Sequence, residues 1–129
     1  MTMNSAARLG KEFPPFAGQD APIIDLVHLS RQTLGDGALE SELLRLFVVQ
    51  AQQYSAWLED AFAPGEAAKR ADLMHRLKGS ARAIGAFPLA EAAESYEEAL
   101  RSGARDTAAE RRRLAEVLEQ AQLAAAQLL

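Results

Sequence analysis

Residues 38–61 read ALESELLRLFVVQAQQYSAWLEDA, and this stretch decides the fold class. Apolar side chains recur in it at steps of three and four residues, the spacing of one face of an α-helix. The stripe has nine positions, eight of them apolar: Leu39, Leu43, Leu46, Phe47, Gln50, Tyr54, Trp57, Leu58 and Ala61. The pattern predicts a long amphipathic helix that ends before Pro64 and Gly65, because both residue types interrupt helices.

A short helix is predicted before this one, beginning at Pro22 and ending at Gly35, with Asp36 as the N-cap of the long helix. Its apolar side is Ile23, Leu26, Val27 and Leu29. Three helices are predicted after it: one over about 66–84 that ends at Gly85, one from Pro88 to Gly103, and one that opens with a Thr107–Glu110 capping box. Their stripes are Leu73, Met74, Leu77, Ala81 and Ile84, then Leu89, Ala92, Ala93, Tyr96 and Leu100, then Leu114, Val117, Leu118, Ala121, Ala125 and Leu128.

Four long amphipathic helices with short connections predict an all-α, antiparallel four-helix bundle, with the short N-terminal helix as an addition. Aromatic residues are only 6% of the chain, which argues against a β-sandwich or barrel. The domain is expected to span residues 21–129. Residues 1–20 carry two prolines and no helical periodicity, so we expect a flexible N-terminal tail on which Phe13 and Phe16 could still dock.

Composition excludes several function classes. The chain has no cysteine, so it has no disulfide, no thiol nucleophile and no cysteine-ligated metal. Its net charge of −4 argues against binding nucleic acid or an anionic membrane through bulk electrostatics. No apolar run approaches the roughly 20 residues of a spanning helix, and no secretory signal is evident. We therefore expect a cytoplasmic protein, and a monomer because the apolar surplus is modest.

The segment with the most chemical information is 72–85, DLMHRLKGSARAIG. At about 100° per residue, its apolar stripe points to one side of the helix. His75, Lys78, Gly79 and Arg82 point nearly the opposite way. The sequence thus predicts a histidine on the solvent face, roughly midway along a well-supported helix.

Each of these residues has a possible chemical use. A neutral imidazole is a nucleophile near pH 7, because its unperturbed pKa is about 6.5. The ammonium of Lys78, one turn along, could neutralise charge on a phosphoryl group carried by His75. Glycine inside a helix costs about 1 kcal/mol relative to alanine. Gly79 therefore indicates close approach, either by a partner or by another helix.

The helix is also rich in positive charge. It carries Lys69, Arg70, Arg76, Lys78 and Arg82 against Glu66 and Asp72. This balance predicts a local basic patch suited to an acidic partner surface. Three simpler interpretations stay open: an ordinary surface histidine, a solvated charged face, and half of a metal site formed by Asp72 and His75. The metal site is disfavoured because such pairs face the bundle interior.

The run from His75 to Ala86, HRLKGSARAIGA, followed by Leu89, Ala93 and Glu97, resembles the histidine-containing phosphotransfer (HPt) domain family. The matching positions are His75, Leu77, Lys78, Gly79, Ser80, Ala81, Ile84, Gly85 and Leu89. A weaker similarity covers Leu34-Gly-Asp and the residues up to Phe47. Tyr96 departs from the pattern, where leucine or methionine is commoner. The resemblance spans about 22–125.

The resemblance implies that His75 is phosphorylated, that Lys78 assists the phosphoryl group and that Gly79 leaves room for a receiver. We assign Asp72, Arg76 and Arg82, which flank this face, to partner binding. The implied partners are response-regulator receiver domains, including the receiver of a hybrid histidine kinase. No cofactor is expected, since the receiver supplies Mg²⁺.

The implied activity is that of a phosphocarrier in a two-component phosphorelay rather than an enzyme, and no nucleotide-binding loop is present. Two alternatives from other classes are a helical adaptor that binds a receiver or kinase without accepting phosphate, and an enzyme such as a di-metal oxidase or a phosphohistidine phosphatase. Ser80 is interpreted as a packing residue.

Overall fold

The computed structural model describes residues 22–59 and 65–129. These residues form five α-helices and no β-strand: α1 (Leu26–Gln32), α2 (Gly37–Leu58), α3 (Ala67–Ala83), α4 (Phe87–Arg101) and α5 (Ala108–Gln127). The predicted fold class is confirmed, with α2 to α5 as the bundle and α1 as the additional short helix. The predicted tail over 1–20 and the predicted end of the second helix at Ala61 lie outside the described residues.

Aspartates begin the first two helices. Asp36 caps α2 as predicted, accepting hydrogen bonds from the backbone N–H groups of Ala38 and Leu39. The first helix begins at Leu26 rather than Pro22, because Asp25 is its N-cap and accepts a hydrogen bond from the backbone of His28. These side-chain acceptors satisfy N–H groups that have no partner within the helix.

Close backbone packing joins α3 to α4 and α5 to both α2 and α4. The seam between α2 and α3 is bridged by long side chains. There the Tyr54 hydroxyl donates to the carbonyl of Leu73 at 3.2 Å. The buried Arg70 guanidinium lies 4.2 Å from the centre of the Trp57 ring. The seam therefore leaves a surface cleft, whereas α3 and α4 lie close enough for their side chains to form a shared site.

The apolar stripes of α3 and α4 are confirmed, with Leu73 alone half-buried and the other predicted positions buried. The stripe predicted for α2 is partly wrong. Leu39 and Leu46 are exposed, and Leu44 and Ala51 are buried in their place. The run over 43–49 carries apolar residues on nearly every face, so periodicity alone could not choose the buried one.

The α1 segment is attached to the turn between α3 and α4. Of its predicted apolar side, only Leu29 is buried. The backbone N–H of Asp25 donates to the carbonyl of Gly85 at 2.8 Å. Gly85 has φ +82°, and a Cβ there would lie 2.6 Å from the carbonyl oxygen of Asp25. Only glycine fits this position, which fixes the end of α3.

The last helix begins after Thr107 as predicted, but the capping box does not form. Thr107 makes no side-chain capping bond. The carboxylate of Asp106 accepts from the backbone N–H of Ala108 at 3.0 Å instead. None of the described helices combines the length and hydropathy that crossing a bilayer requires.

Candidate functional site on helices α3 and α4

His75 lies near the middle of α3, between residues whose side chains are buried. Met74 and Leu77 are fully buried and hold this helix on the bundle. The side chain of His75 is 65% exposed. The structure therefore places the histidine on the solvent side of a rigid helix, where the apolar spacing predicted it.

Glu97 of α4 holds one nitrogen of the histidine ring. Its carboxylate Oε2 lies 3.2 Å from Nδ1 of His75, and the Glu97 side chain is only 10% exposed. A carboxylate accepts hydrogen bonds, so the contact assigns the ring proton to Nδ1. The lone pair of the neutral ring is then on Nε2, which is available for attack on a phosphorus atom.

Lys78 does not point into solvent as predicted. Its side chain is 13% exposed, and Nζ lies 3.2 Å from Oε1 of Glu97 and 4.0 Å from Glu94. The stem of a lysine can lie along a neighbouring helix while its ammonium pairs with a carboxylate. Helix periodicity fixed the position of its Cβ but not the direction of this long side chain.

Asp72 also has a partner within the chain. Arg101, the last residue of α4, places one guanidinium nitrogen 3.0 Å from Oδ1 of Asp72 and Nε 3.0 Å from Oε2 of Glu97. One arginine thus links α3 to α4 through two carboxylates. The assignment of Asp72 to partner binding stays a prediction, because its side chain is 69% exposed beside Arg101.

The prediction of a local basic patch around His75 is wrong, because acidic side chains balance most of the positive charge there. Lys78, Arg82 and Arg101 pair with Asp72, Glu94 and Glu97 along the α3–α4 seam, and only the Arg101–Glu97 pair lies within one helix. We call these six residues with His75 the charge network. The prediction counted the charges of α3 alone, and α4 supplies acidic partners. Arg76 lies outside this balance, since it makes no ion pair with a described carboxylate and lines the α2–α3 cleft.

Gly79 is exposed, and the structure argues against one of the two interpretations of it. A Cβ built on Gly79 meets no described atom within 4 Å, apart from its immediate chain and helix neighbours. Relief of packing between helices is therefore not the reason for the glycine. Its bare backbone lies one turn from His75 and faces open space that a partner can enter.

A family model described as "Hpt domain" matches residues 42–127. The chain belongs to the Hpt domain family. Comparison with curated proteins and with solved structures gave no match. Hpt domains in general are phosphocarriers of phosphorelays and interact with receiver domains. The predicted family membership is thus confirmed.

Sequence reasoning assigned two residues of this Hpt domain's candidate site no role: Glu97, which was named only as part of the family resemblance, and Arg101, which was not singled out. Glu97 had a signal, because it is an acidic residue beside the apolar stripe of α4, next to the buried Tyr96. Burial of a carboxylate requires a compensating partner. Arg101 follows it by one turn, the spacing at which opposite charges meet on a helix.

Two opposing influences act on the Glu97 carboxyl of the Hpt domain. Burial alone would raise its pKa, since it disfavours the charged form. Hydrogen bonds from Arg101 and Lys78, with the charges of Lys78 and His75, outweigh burial and lower the pKa of Glu97 below its ordinary 4.5. Glu97 is therefore a carboxylate at neutral pH and accepts a hydrogen bond from Nδ1–H of His75.

Within the described ranges, no three residues among His, Asp and Glu come together in a metal-ligating arrangement. Asp72, which the sequence left open as half of a disfavoured metal site with His75, contacts Arg101.

Proposed function

We propose that this Hpt domain accepts a phosphoryl group on Nε2 of His75 and donates it onward, between aspartates of response-regulator receiver domains. The observation that carries the proposal is the state of the ring. It is 65% exposed on a rigid helix, and its other nitrogen lies 3.2 Å from a buried carboxylate. This combination orients a nucleophile toward a partner and stabilises the charge it acquires.

The transfer balances without a further reactant. The Nε2 lone pair forms a bond to the phosphorus of an aspartyl phosphate, and the bond from phosphorus to the aspartate oxygen breaks, which returns a carboxylate to the receiver. The ring keeps its Nδ1 proton and becomes positively charged. Glu97 stabilises that charge, and positioning with charge neutralisation supplies the catalysis. Donation to a second receiver is the reverse reaction.

Lys78 and Gly79 act on the phosphoryl side of the ring. Lys78 follows His75 by one turn of α3, so its ammonium can reach a phosphoryl group on Nε2 after turning from Glu97. Gly79 leaves space for the receiver beside the ring. We expect the receiver to bring the Mg²⁺ ion and this chain to contribute no cofactor. In this role the chain is a phosphocarrier, not an enzyme.

The receiver is proposed to dock across the cleft between α2 and α3. The cleft has a volume of about 360 Å³ and is lined by Gln50, Gln53, Tyr54, Trp57, Leu73 and Arg76. Leu46 and Val49 are exposed on the adjoining turn of α2. We call these eight residues the docking face. Exposed apolar groups beside a nucleophile favour protein association, and Arg76 adds a positive charge suited to an acidic receiver.

Transfer from a phosphorylated receiver tests the proposal. The phosphate is expected on wild-type protein as an acid-labile, alkali-stable adduct, and His75→Gln is expected to abolish it with an unchanged circular dichroism spectrum. His28→Gln is the matched control, since His28 is the only other histidine. Equal labelling of His75→Gln and the wild type would contradict the proposal. Binding without labelling would indicate an adaptor, and release of inorganic phosphate a phosphatase.

A further inference from the structure

Glu97 is shared by three groups, two hydrogen-bond donors on Oε2 and the ammonium of Lys78 beside Oε1, and this sharing limits what Lys78 can do. Oε2 of Glu97 accepts hydrogen bonds from Nδ1 of His75 at 3.2 Å and from Nε of Arg101 at 3.0 Å. The other oxygen, Oε1, lies 3.2 Å from Nζ of Lys78. Under the proposed function, Lys78 must turn from Glu97 toward the phosphoryl group. That movement removes a cation from a carboxylate that is only 10% exposed.

A largely buried carboxylate that loses its cation is costly, and the cost would oppose the movement of Lys78. Arg101 lowers this cost, because its Nε can keep its hydrogen bond to Glu97 after Lys78 has left the carboxylate. An arginine presents several donors in one rigid plane, so it can hold two carboxylates at once. Arg101 does so with Glu97 and Asp72.

Asp72 has a distinct part in this arrangement. Arg101 is the last residue of α4, where a helix tends to fray, and its side chain is 45% exposed. Asp72 anchors the outer end of the guanidinium from the neighbouring helix at 3.0 Å. Hydrogen bonds from Asp72 first and Glu97 second raise the pKa of Arg101, so its charge is constant.

We propose that Arg101, anchored by Asp72, keeps Glu97 paired with a cation and thereby releases Lys78 to serve the phosphoryl group. Arg101 is thus a positioning residue that acts through Glu97 and Lys78. The inference rests on the proposed function of His75. Without Arg101, Lys78 is the only full cation left within contact of Glu97, so it stays on the carboxylate and the phosphoryl group meets less positive charge.

A double-mutant cycle tests this coupling without a receiver. Phosphoramidate serves as donor: its P–N bond breaks, ammonia leaves and the phosphoryl group bonds to Nε2. Arg101→Gln is expected to lower the labelling rate about five- to tenfold in the wild-type background and less than about twofold in the Lys78→Ala background, since contacting groups in one network are non-additive. Asp72→Asn is expected to fall between wild type and Arg101→Gln.

Three results would overturn the inference. The first is an unchanged rate in Arg101→Gln, and the second is an equal loss in both backgrounds. The third is loss of the Nδ1–H tautomer of His75 in ¹⁵N spectra of Arg101→Gln, which would mean that Arg101 acts on the ring and not on Lys78. Failure of the proposed function looks different, because the wild type would then carry no phosphate on His75. Thermal unfolding of each variant identifies a merely structural effect.

Discussion

Oε2 of Glu97 lies 3.2 Å from Nδ1 of His75, although 22 residues separate them along the chain. The contact exists because α3 and α4 pack closely as an antiparallel pair. It couples a solvent-facing nucleophile to a carboxylate that solvent scarcely reaches. The orientation of the ring is therefore a property of the packed bundle and not of α3 alone.

Truncation of Glu97 is expected to slow phosphotransfer more than amide replacement. A hydrogen bond to a charged group contributes about 1.5–3 kcal/mol, which corresponds to about 10- to 150-fold in rate if it is fully used in the transition state. Glu97→Ala should approach this range in single-turnover transfer at saturating receiver. Glu97→Gln should lose less, because its amide oxygen still accepts from Nδ1. A Glu97→Ala variant as fast as wild type would contradict the positioning role.

Substitution of Gly79 separates helix stability from partner access. Gly79→Ala is expected to raise the free energy of unfolding by about 0.5–1 kcal/mol, because alanine is the better helix former and its Cβ meets open space. Gly79→Gln should keep the fold but slow transfer from the receiver sharply. Urea unfolding and transfer kinetics measure the two effects. Full transfer activity in Gly79→Gln would exclude the access role.

Sequence reasoning predicted the exposed position of His75, the proposed nucleophile, but not the charge network around it. His75 and Gly79 lie as predicted because both belong to one helix, whose geometry follows from residue spacing alone. The ion pairs of Lys78 and Asp72 depend on how α4 sits against α3, and single-helix periodicity contains no information about that. The α2 stripe failed for a related reason, since a helix that is apolar on most faces is oriented only by its neighbours.

The three cations near His75 are expected to differ in how their substitution responds to salt. Arg76 has no described carboxylate partner and lies on the docking face, so Arg76→Ala should lower the second-order transfer rate by an amount that shrinks with salt. The Debye length falls from about 10 Å at 0.1 M to about 3 Å at 1 M. Lys78→Ala should retain its defect at saturating receiver and at high salt. Arg82→Ala should have a smaller effect than Arg76→Ala, because Arg82 is 4.0 Å from Glu94.

A salt-independent defect of Arg76→Ala at saturating receiver would place Arg76 in the chemical step and contradict this division of roles. Measuring single-turnover rates at two salt concentrations gives the answer for all three variants.

A charge on the docking face is expected to weaken receiver binding. Leu46→Glu introduces a carboxylate where apolar surface is proposed to be covered, so the receiver concentration at half-maximal rate should rise about tenfold with little change in the maximal rate. Leu123→Glu is the matched control, because Leu123 is 58% exposed and Leu46 is 57% exposed. Leu123 lies on α5, outside the docking face. Equal effects of the two substitutions would contradict the proposal that the receiver binds at the docking face.

Acid is expected to remove a stabilising contribution from Glu97. Its pKa is lower in the folded protein than its ordinary 4.5, so the folded state favours the charged form. The contribution is fully present above the ordinary value and is lost as pH falls through the lowered one. The difference in unfolding free energy between wild type and Glu97→Gln should therefore shrink over the acid range, as the pH falls below the ordinary value of 4.5.

Denaturant unfolding across that range measures the effect. Glu119→Gln, which removes an exposed carboxylate on α5, is the control and should show little change with pH. A constant difference for Glu97→Gln over the whole range would contradict the charge-based origin of its stabilisation.

The charge network lies entirely between Asp72 and Arg101, within α3, α4 and the short turn that Gly85 makes possible. All residues of the charge network thus belong to one continuous helical hairpin, whereas α2 contributes most of the docking face. If His75 and the docking face act as proposed, we expect substitutions on the exposed face of α2 to change which receiver binds while the reactive centre on the hairpin stays the same.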